Sequence, residues 1–338
     1  MIVAGPGRST VSGVSLESYR KSCGACIPVA IPSHGREAQL CDQTLATLQR
    51  YKWDMSKVHV FVNAAFRRQD GSLEHDNYAK YMDSHGYGSV KLHPGGDGLC
   101  AQYNRIFEFF GQTPQLLILS DTVPRLLYRR KKILEQEEYP EADFRPLVSM
   151  AFDLCLHLNV RAWSLGPCKS ARNMQPGHIS RRCGLLDGNC FGVNLMKEPR
   201  IEFAGSGYTT DVEFSLKAWT HDGGMVRFLG ISADHVYRSA GGHHGPSLAA
   251  AKRRAMETSD SLRKLAKQHP KLLKFHGDKQ SERGMHYAFR PVGPQPLILF
   301  GSYTRRGRPT QTKKRAMTTA ERVRKCRAKN KNSPKSSP

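Results

Sequence analysis

The sequence predicts an α/β fold with an open mixed sheet flanked by helices, then a basic helical segment and a disordered basic C-terminal tail. Three observations indicate this class. Strand-like and helix-like runs alternate through residue 125. Short β-like runs separated by glycine and proline fill residues 126–246. Lysine and arginine then increase from residue 247 to the end.

The first predicted strand is the apolar run Ile27–Ile31, which ends in the polar turn Ser33–Arg36. The segment EAQLCDQTLATLQRY follows with leucines at helical spacing, and VHVFVNA is β-branched and aromatic without glycine or proline. A strand–helix–strand unit of this kind builds a parallel sheet.

Three elements complete this half. SVKLHP is a short strand candidate, GDGLCAQYNRIFEFFG is a glycine turn entering a helix, and PQLLILSDT is an apolar strand that stops at Ser120-Asp121-Thr122. In open α/β sheets, ligands bind outside the carboxyl ends of the strands. The polar turns after the first and last of these strands are therefore predicted binding positions.

The second half contains the runs RAWSLGP, GNCFGVNL and VRFLGISADHV, which suit a mixed sheet with loops that build an acceptor site. From Ser247, SLAAAKRRAMETSDSLRKLAKQHPKLLKF is helical in propensity and is interrupted by Pro270. The predicted organisation is a loose leader (1–25), a main domain (26–300, in parts 26–125, 126–246 and 247–300) and a tail (301–338).

The charge balance is 52 Lys+Arg against 29 Asp+Glu, a formal net charge of +23. Such an excess predicts attraction to a polyanion such as nucleic acid. No apolar run approaches the ~20 residues that span a bilayer, and the N-terminus lacks the apolar core of a signal peptide. The nine irregularly spaced cysteines, including a lone Cys23/Cys26 pair, favour reduced thiols and a cytoplasmic location.

The tail from residue 301 carries thirteen Lys+Arg and one acid, Glu321, and has little apolar surface to bury. Its Arg-Arg-Gly-Arg-Pro run looks like an AT-hook core, which inserts arginines into a narrow minor groove. An ordinary basic linker is the alternative. The DNA-binding candidates are Arg305, Arg306, Arg308, Lys313, Lys314 and Arg315.

Two acids, Asp211 and Glu213, lie at the start of a predicted helix in TTDVEFSLKAW. Thr209 or Thr210 can cap this helix, with Glu213 as the acid of a capping box. That role leaves Asp211 able to face a cleft and take a proton from an acceptor hydroxyl.

Three other positions are candidates for phosphate or metal binding. Asp121 at a strand end can meet a metal–diphosphate, although, taken alone, a turn-capping role is the more common one for such an aspartate. The turn Gly95–Gly98 can cradle phosphate at a helix start or act as a plain linker. One histidine of the Gly241–Gly245 loop, GGHHG, can ligate a metal, with a surface loop as the alternative.

In order along the chain, IPSHGRE, VHVFVN, GDGLCAQYNRIFEFF and LLILSDT resemble the donor half of a GT-A nucleotide-sugar glycosyltransferase. The later RAWSLGP, LLDGNCFGVN, YTTDVEFSLKAW, MVRF and GGHHG resemble more narrowly the TET/JBP-associated glycosyltransferases. Those enzymes, found in phages and kinetoplastids, glycosylate hydroxymethylated pyrimidines in DNA. The resemblance covers residues 27–250.

The resemblance implies roles for particular residues. Asp211 is the expected catalytic base and Glu213 the second acid of the family's pair. Asp121 and His243 are the expected metal contacts for Mg²⁺ or Mn²⁺, but Ser120-Asp121-Thr122 has one acid where the family has a DxD-type motif. The expected donor-binding residues are Pro32, Ser33, Arg36, Asn104, Arg105, Ser120, Asp121 and Gly242.

The expected function is transfer of a hexose, with glucose from UDP-glucose as the expected donor, to 5-hydroxymethylcytosine or 5-hydroxymethyluracil in double-stranded DNA. Such enzymes usually extrude the base, and Trp163, Phe191 and Tyr208 are candidates to line an acceptor pocket, with core packing as the alternative. The rival functions are a GT-A glycosyltransferase acting on protein or polysaccharide and a non-catalytic DNA-binding protein.

Overall fold

The computed structural model describes residues 2–5, 8–11, 27–68, 70–129, 135–167, 170–205, 207, 209–235, 248–275, 287–289 and 297–298. These all belong to one unit, Met1–Leu299. The tail candidates from Arg305 to Arg315 and the Gly241–Gly245 loop lie outside the described residues, as do Tyr208 and the Cys23/Cys26 pair.

A parallel group of strands forms one side of the central sheet, as the sequence predicts. Its members are β3 (Val29–Pro32), β4 (Val58–Asn63), β5 (Lys91–Gly95) and β6 (Leu116–Leu119). They lie in the order β5-β4-β3-β6, and every pair of neighbours is parallel. Because β3 and β6 are covered on both faces, they are apolar along their length rather than alternating.

The other side of the sheet is mixed. β11 (Cys190–Val193) runs antiparallel to β6 and to β9 (Ala162–Leu165), and β12 (Val226–Phe228) is parallel to β9. β10 (His178–Ser180) follows β12 in the sheet. These strands complete an eight-stranded core, β10-β12-β9-β11-β6-β3-β4-β5.

Three more strands extend the sheet beyond β10: β16 (Leu297–Ile298), β2 (Arg8–Val11) and β1 (Ile2–Gly5). The described part of the chain thus forms an eleven-stranded sheet. The expected loose leader therefore contains a paired hairpin, which sequence analysis missed because its glycines and serines mask the short strands.

Helices cover both faces of the sheet. The segment α1 consists of Glu37–Gln39, a π-helical stretch Leu40–Leu45 and Ala46–Arg50. The other helices are α2 (Glu74–Ser84), α3 (Gly98–Phe110), α4 (Phe144–His157), α5 (Thr210–Asp222) and α6 (Leu248–Gln268). Short 3₁₀ turns occur at Met55–Lys57 and Glu141–Asp143.

The strand pleat divides the core into two layers. Val29 and Ile31 of β3 pack with α1, α2 and α4, whereas Ala30 between them packs with α3 and α5. Successive side chains of a strand point to opposite faces, so each strand contributes to both layers. On α5, Val212 and Leu216 pack against Leu262 and Leu265 of α6, which docks the basic helix onto the domain.

Two small sheets lie beside the main one. β7 (Arg125–Arg129) pairs with β8 (Gln136–Glu138) and with β13 (Ile231–Asp234). β14 (Leu273–Phe275) pairs with β15 (Tyr287–Phe289). None of the helices in the described ranges combines the length and apolar character needed to cross a membrane.

Two of the aromatic residues considered for an acceptor pocket belong to the core. Trp163 is 0% exposed and Phe191 is 2% exposed. A Cβ added at Gly192 would lie 2.1 Å from Trp163 Nε1, so the glycine provides the space that the indole occupies. The pocket assignment is therefore wrong for Trp163 and Phe191, because the pleat directs both rings into packed layers.

A buried ion pair fixes the far end of α5. Arg161 Nε lies 2.9 Å from Asp222 Oδ2, and both side chains are almost fully enclosed. The Arg161 backbone N–H also donates to Asp222 Oδ2 at 2.7 Å. This pair joins the end of α5 to the residue that precedes β9.

We predict that Asp222→Asn destabilises the protein by about 3–5 kcal/mol, because it leaves the Arg161 guanidinium buried beside a neutral partner. Urea unfolding followed by circular dichroism measures the change. The control is Glu108→Gln, which breaks the exposed Arg105–Glu108 pair and should cost less than about 1 kcal/mol. Equal losses in the two variants would contradict the assignment.

Candidate active site

The crevice between β3 and β6 brings together two turns that are far apart in the sequence. Within the sheet, β4 lies on one side of β3 and β6 lies on the other side of β3. The strand order therefore reverses between β3 and β6. Ser33 Oγ donates to Asp121 Oδ2 at 2.7 Å. Arg36 Nη1 donates to Asp121 Oδ1 at 3.2 Å. The predicted candidates Ser33, Arg36, Ser120 and Asp121 therefore form one cluster at the switch point, where ligands bind in such sheets.

Asp121 is almost fully buried, and its turn is held by the neighbouring segment α1. Thr44, in the π-helical stretch of α1, donates to the Ser120 carbonyl at 2.8 Å and accepts from the Val123 N–H at 2.9 Å. Burial raises the pKa of Asp121, while the Arg36 charge and the Ser33 hydroxyl oppose that shift. The carboxylate is thus a fixed, hydrogen-bonded group.

Two residues of α2 that are not among the predicted site residues support the Ser33–Arg36 turn. Tyr78 OH lies 2.7 Å from Ser33 Oγ and accepts from the Arg36 N–H at 2.8 Å. Glu74, which is 0% exposed, accepts from the Gly35 N–H and lies 3.0 Å from His34 Nδ1. The i, i+4 spacing of Glu74 and Tyr78 was the available signal, since it places both on one helical face.

Asp211 occupies the first turn of α5 and is partly exposed. Its Oδ1 accepts from the Val212 N–H at 2.8 Å. Burial raises the pKa of Asp211 to about 6. A Cβ added at Gly188 would lie 3.5 Å from Asp211 Cβ, so Asp211 packs beside the loop that precedes β11.

Glu213, the second predicted acid, is 2% exposed and contacts the loop before α5 rather than the loop before β11. Its carboxylate accepts from the Ala204 and Gly205 N–H groups at 3.1 and 3.0 Å, and Lys217 Nζ lies 2.6 Å from it. The expected capping box is therefore not formed. Glu213 instead fastens the loop before α5, while α5 begins at Thr210 as predicted.

A second acid beside Asp211 is Asp187, which sequence analysis missed. Asp187 is 4% exposed, and its Oδ1 accepts from the Asn189 N–H at 3.1 Å and from Asn189 Nδ2 at 2.8 Å. Burial raises the pKa of Asp187 to about 7, and the Asp211 charge adds to the shift. The Asp-Gly pair before β11 has the composition of an ordinary turn, so the local sequence gave no catalytic signal.

The loop 187–189 connects the two halves of the crevice. Asn189 accepts from the Ser120 N–H through its carbonyl at 3.0 Å. Gly188, next in the same loop, lies against Asp211. The Asp121 turn and Asp211 therefore border the same short segment, and the crevice has carboxylates on two sides.

The remaining donor-binding candidates have other contacts. Pro32 is buried at the end of β3. Asn104 donates to the Phe203 carbonyl at 2.9 Å and accepts from its N–H at 2.8 Å, so both ends of the amide hold that loop. Arg105 is exposed and donates to Glu108 at 2.7 Å.

Arg105 lines a separate pocket of about 600 Å³ between α3 and residues 193–202. Gly95 and Gly96 also line it, and a Cβ at Gly96 would lie 2.5 Å from Ala101 Cβ. The glycine turn is therefore explained by its close packing against α3. Ser33, Asp121 and Asp211 do not line this pocket, so it is distinct from the crevice that holds the acids.

The described residues do not fit a metal site. No group of three or more His, Cys, Asp or Glu residues in these ranges is arranged to hold an ion. Both oxygens of Asp121 are engaged, one of them with the Arg36 cation. The expected second ligand, His243, and the donor-loop residue Gly242 lie outside the described residues.

Searches of protein-family profiles and of curated protein sequences find no match. Solved structures give matches of low similarity. One is the mannosyltransferase PcManGT from Pyrobaculum calidifontis in complex with GDP-Man and Mn²⁺, with 13% identity and a TM-score of 0.42 over 71% of this chain and 64% of that chain. The matched part of this chain thus spans less than two thirds of that mannosyltransferase.

Two further matches are to synthases of glycosylated phosphoglycerate. The glucosyl-3-phosphoglycerate synthase of Mycobacterium tuberculosis, in complex with Mn²⁺ and UDP-glucose, has 10% identity and a TM-score of 0.45 over 85% of this chain and 94% of that chain. The mannosyl-3-phosphoglycerate synthase of Rubrobacter xylanophilus has 12% identity and a TM-score of 0.42 over 83% and 89%. Because these values are low, the functional conclusion depends on the residues of the crevice.

We predict that Asp187→Asn is more stable than the native protein, by an amount that grows as pH rises. The pKa of Asp187 is about 7 in the folded protein, against about 3.9 for an unperturbed aspartate. The folded state therefore binds the proton more tightly, and the stability it provides is lost between about pH 4 and pH 7. Asparagine resembles the protonated acid and avoids that loss.

Urea unfolding at several pH values measures this effect. The difference in unfolding free energy between Asp187→Asn and the native protein should grow from pH 4 to pH 8. The exposed variant Asp83→Asn should show no such growth. A difference for Asp187→Asn that stays constant with pH would contradict the prediction.

Proposed function

We propose that the chain is a nucleotide-sugar glycosyltransferase that moves a hexose, with glucose expected, to the hydroxyl of a 5-hydroxymethylpyrimidine in double-stranded DNA. The observation that carries this proposal is the crevice at the strand-order reversal. There the buried Asp121, paired with Arg36, and the partly exposed Asp211 border the same loop. The Asp121–Arg36 pair, held in a fixed position, is suited to binding a polar substrate. Asp211, an acid with a raised pKa, is suited to removing a proton.

Asp211 fits the role of general base. The acceptor hydroxyl attacks the anomeric carbon of the sugar, the bond from that carbon to the diphosphate breaks, and the hydroxyl proton passes to the Asp211 carboxylate. A base is most effective when its pKa lies near the working pH, and the pKa of Asp211 is about 6. Asp211 is partly exposed, as a residue that meets an acceptor must be.

Arg36 supplies positive charge at the edge of the crevice where the diphosphate would lie. Its backbone N–H is held by Tyr78 and its guanidinium by Asp121, so the charge has a fixed position. Fixed charges stabilise a developing anion without reorganisation during the reaction. The leaving nucleoside diphosphate is such an anion.

The DNA acceptor is supported by the charge of the chain and by the sequence resemblance. The formal net charge is +23, and each phosphate contact to a lysine or arginine releases counterions from the duplex. The 5-position of a pyrimidine faces the major groove, and enzymes that act on bases usually extrude them. The proposed tail contacts would concentrate the enzyme on DNA with little sequence preference.

The decisive experiment is mass spectrometry of nucleosides after incubation with UDP-glucose. Three duplexes are compared, containing 5-hydroxymethylcytosine, 5-hydroxymethyluracil or only unmodified bases. We expect a mass gain of one hexose on a hydroxymethylated nucleoside and none on unmodified DNA. Salt-dependent DNA binding without transfer from UDP-glucose, GDP-mannose or other nucleotide-sugars would instead favour a binding protein. Donor hydrolysis without DNA modification would favour a different acceptor.

We predict that Asp211→Asn lowers the rate of transfer by roughly 10²–10⁴-fold, because asparagine cannot accept the hydroxyl proton. Single-turnover transfer with saturating DNA and donor isolates the chemical step. The native rate should also increase as pH rises through about 6 and then level off, since only the ionised carboxylate is a base.

Asp83→Asn, an exposed change near the end of α2, is the control and should leave the rate unaltered. Donor binding by Asp211→Asn should stay within a few-fold of the native value. Transfer at the native rate in this variant would exclude Asp211 as the base.

A further inference from the structure

The hydroxyl of Tyr103, on the second turn of α3, is a polar group that the mechanism above does not use. Tyr103 is 5% exposed. Within the described ranges no group forms a hydrogen bond with this hydroxyl. Its oxygen is nevertheless not completely enclosed by protein atoms. The ring is therefore buried, and the hydroxyl, which keeps some contact with solvent, has an unused hydrogen-bonding position within the described ranges.

The ring is held rigidly. It stacks on Phe203 with a centroid distance of 5.1 Å and meets the edge of Phe191 at 6.1 Å. Asn104, the next residue of α3, fixes Phe203 through both ends of its amide. The preceding residue, Gln102, donates to the Ser33 carbonyl at 3.1 Å. The neighbours of Tyr103 in α3 thus bind the Ser33 turn of the crevice on one side and the Phe203 loop on the other.

The space in front of the hydroxyl is acidic. Burial raises the pKa of Tyr103, and the charges of Asp211, Asp121 and Asp187 raise it further. The phenol therefore remains neutral and can donate its proton to a hydrogen bond. Negative charge around this space disfavours a phosphate there, while the carboxylates can accept hydrogen bonds from ligand hydroxyls.

We propose that the Tyr103 hydroxyl is a specificity-determining group that donates a hydrogen bond to one hydroxyl of the donor sugar. This inference rests on the proposed function, because it assumes that the crevice holds a nucleotide-sugar. A polyhydroxylated, uncharged ligand matches a space with several acceptors and one oriented donor. The diphosphate would then lie toward Arg36, which is paired with Asp121, and away from Asp211 and Asp187.

Tyr103→Phe tests the proposal because it removes one oxygen atom and retains the stacked ring. Calorimetry measures the Kd of UDP, of UDP-glucose and of its four monodeoxy analogues. We expect UDP-glucose to bind about 2- to 12-fold more weakly to the variant, the range for one neutral hydrogen bond. UDP, which lacks the sugar, should bind equally to both proteins.

One monodeoxy analogue should bind equally to the native protein and to Tyr103→Phe, since either change removes the same hydrogen bond. A structural role alone would weaken all ligands together. The matched control is Tyr51→Phe, another buried tyrosine, whose hydroxyl donates to the Tyr139 carbonyl at 3.2 Å in the opposite layer. It should leave all these Kd values unaltered.

The outcomes separate the two proposals. Unchanged binding of every ligand by Tyr103→Phe, or an equal loss that includes UDP, would overturn the role of Tyr103 while leaving the transferase proposal intact. The expected pattern without any sugar transfer to DNA would support Tyr103 and overturn the DNA acceptor. A native protein that binds neither UDP-glucose, GDP-mannose nor any other nucleotide-sugar would overturn both.

Discussion

The contact between Asp121 and the turn after β3 is the constraint on which the crevice depends. Ser33 and Arg36 reach across from one parallel strand to the carboxylate that follows its neighbour. A buried carboxylate costs several kcal/mol unless its hydrogen bonds are satisfied, so the two turns must stay together. Their closeness fixes the mouth of the sheet at the place where its strand order reverses.

Around this contact, each flanking element contributes one or two polar groups that hold a loop. Thr44 of α1 holds the Asp121 turn, and Tyr78 of α2 holds the Ser33–Arg36 turn. Glu213 of α5 holds the loop before its own helix, and Asn104 of α3 holds Phe203. Of the groups proposed to meet substrate, Arg36 therefore stands on a turn held by buried side chains, while Asp211 and Tyr103 stand on the helices α5 and α3. Rigid support of this kind is how a binding site retains its geometry.

Burial gives the acids of the crevice different properties although they are chemically identical. Burial raises the pKa of all three, but only Asp121 is paired with an arginine, whose charge opposes the shift. Asp187 and Asp211 have pKa values of about 7 and about 6. The sequence indicated that one acid of the Asp211/Glu213 pair serves the helix and the other the reaction. The structure agrees that Glu213 is a structural group, but its partners are the Ala204 and Gly205 amides rather than a helix cap.

From the sequence alone, the period of its apolar residues determined the alternating strands and helices and the parallel half of the sheet, because these depend on local spacing. Thr209 and Thr210 marked the start of α5. Only the tertiary structure could decide that Asp187, Tyr103, Glu74 and Tyr78 border the crevice, or that Trp163 and Phe191 do not. Those facts depend on which residues distant in the chain become neighbours. The antiparallel return of β11 beside β6 brings Asp187 toward Asp211, and no local pattern records that pairing.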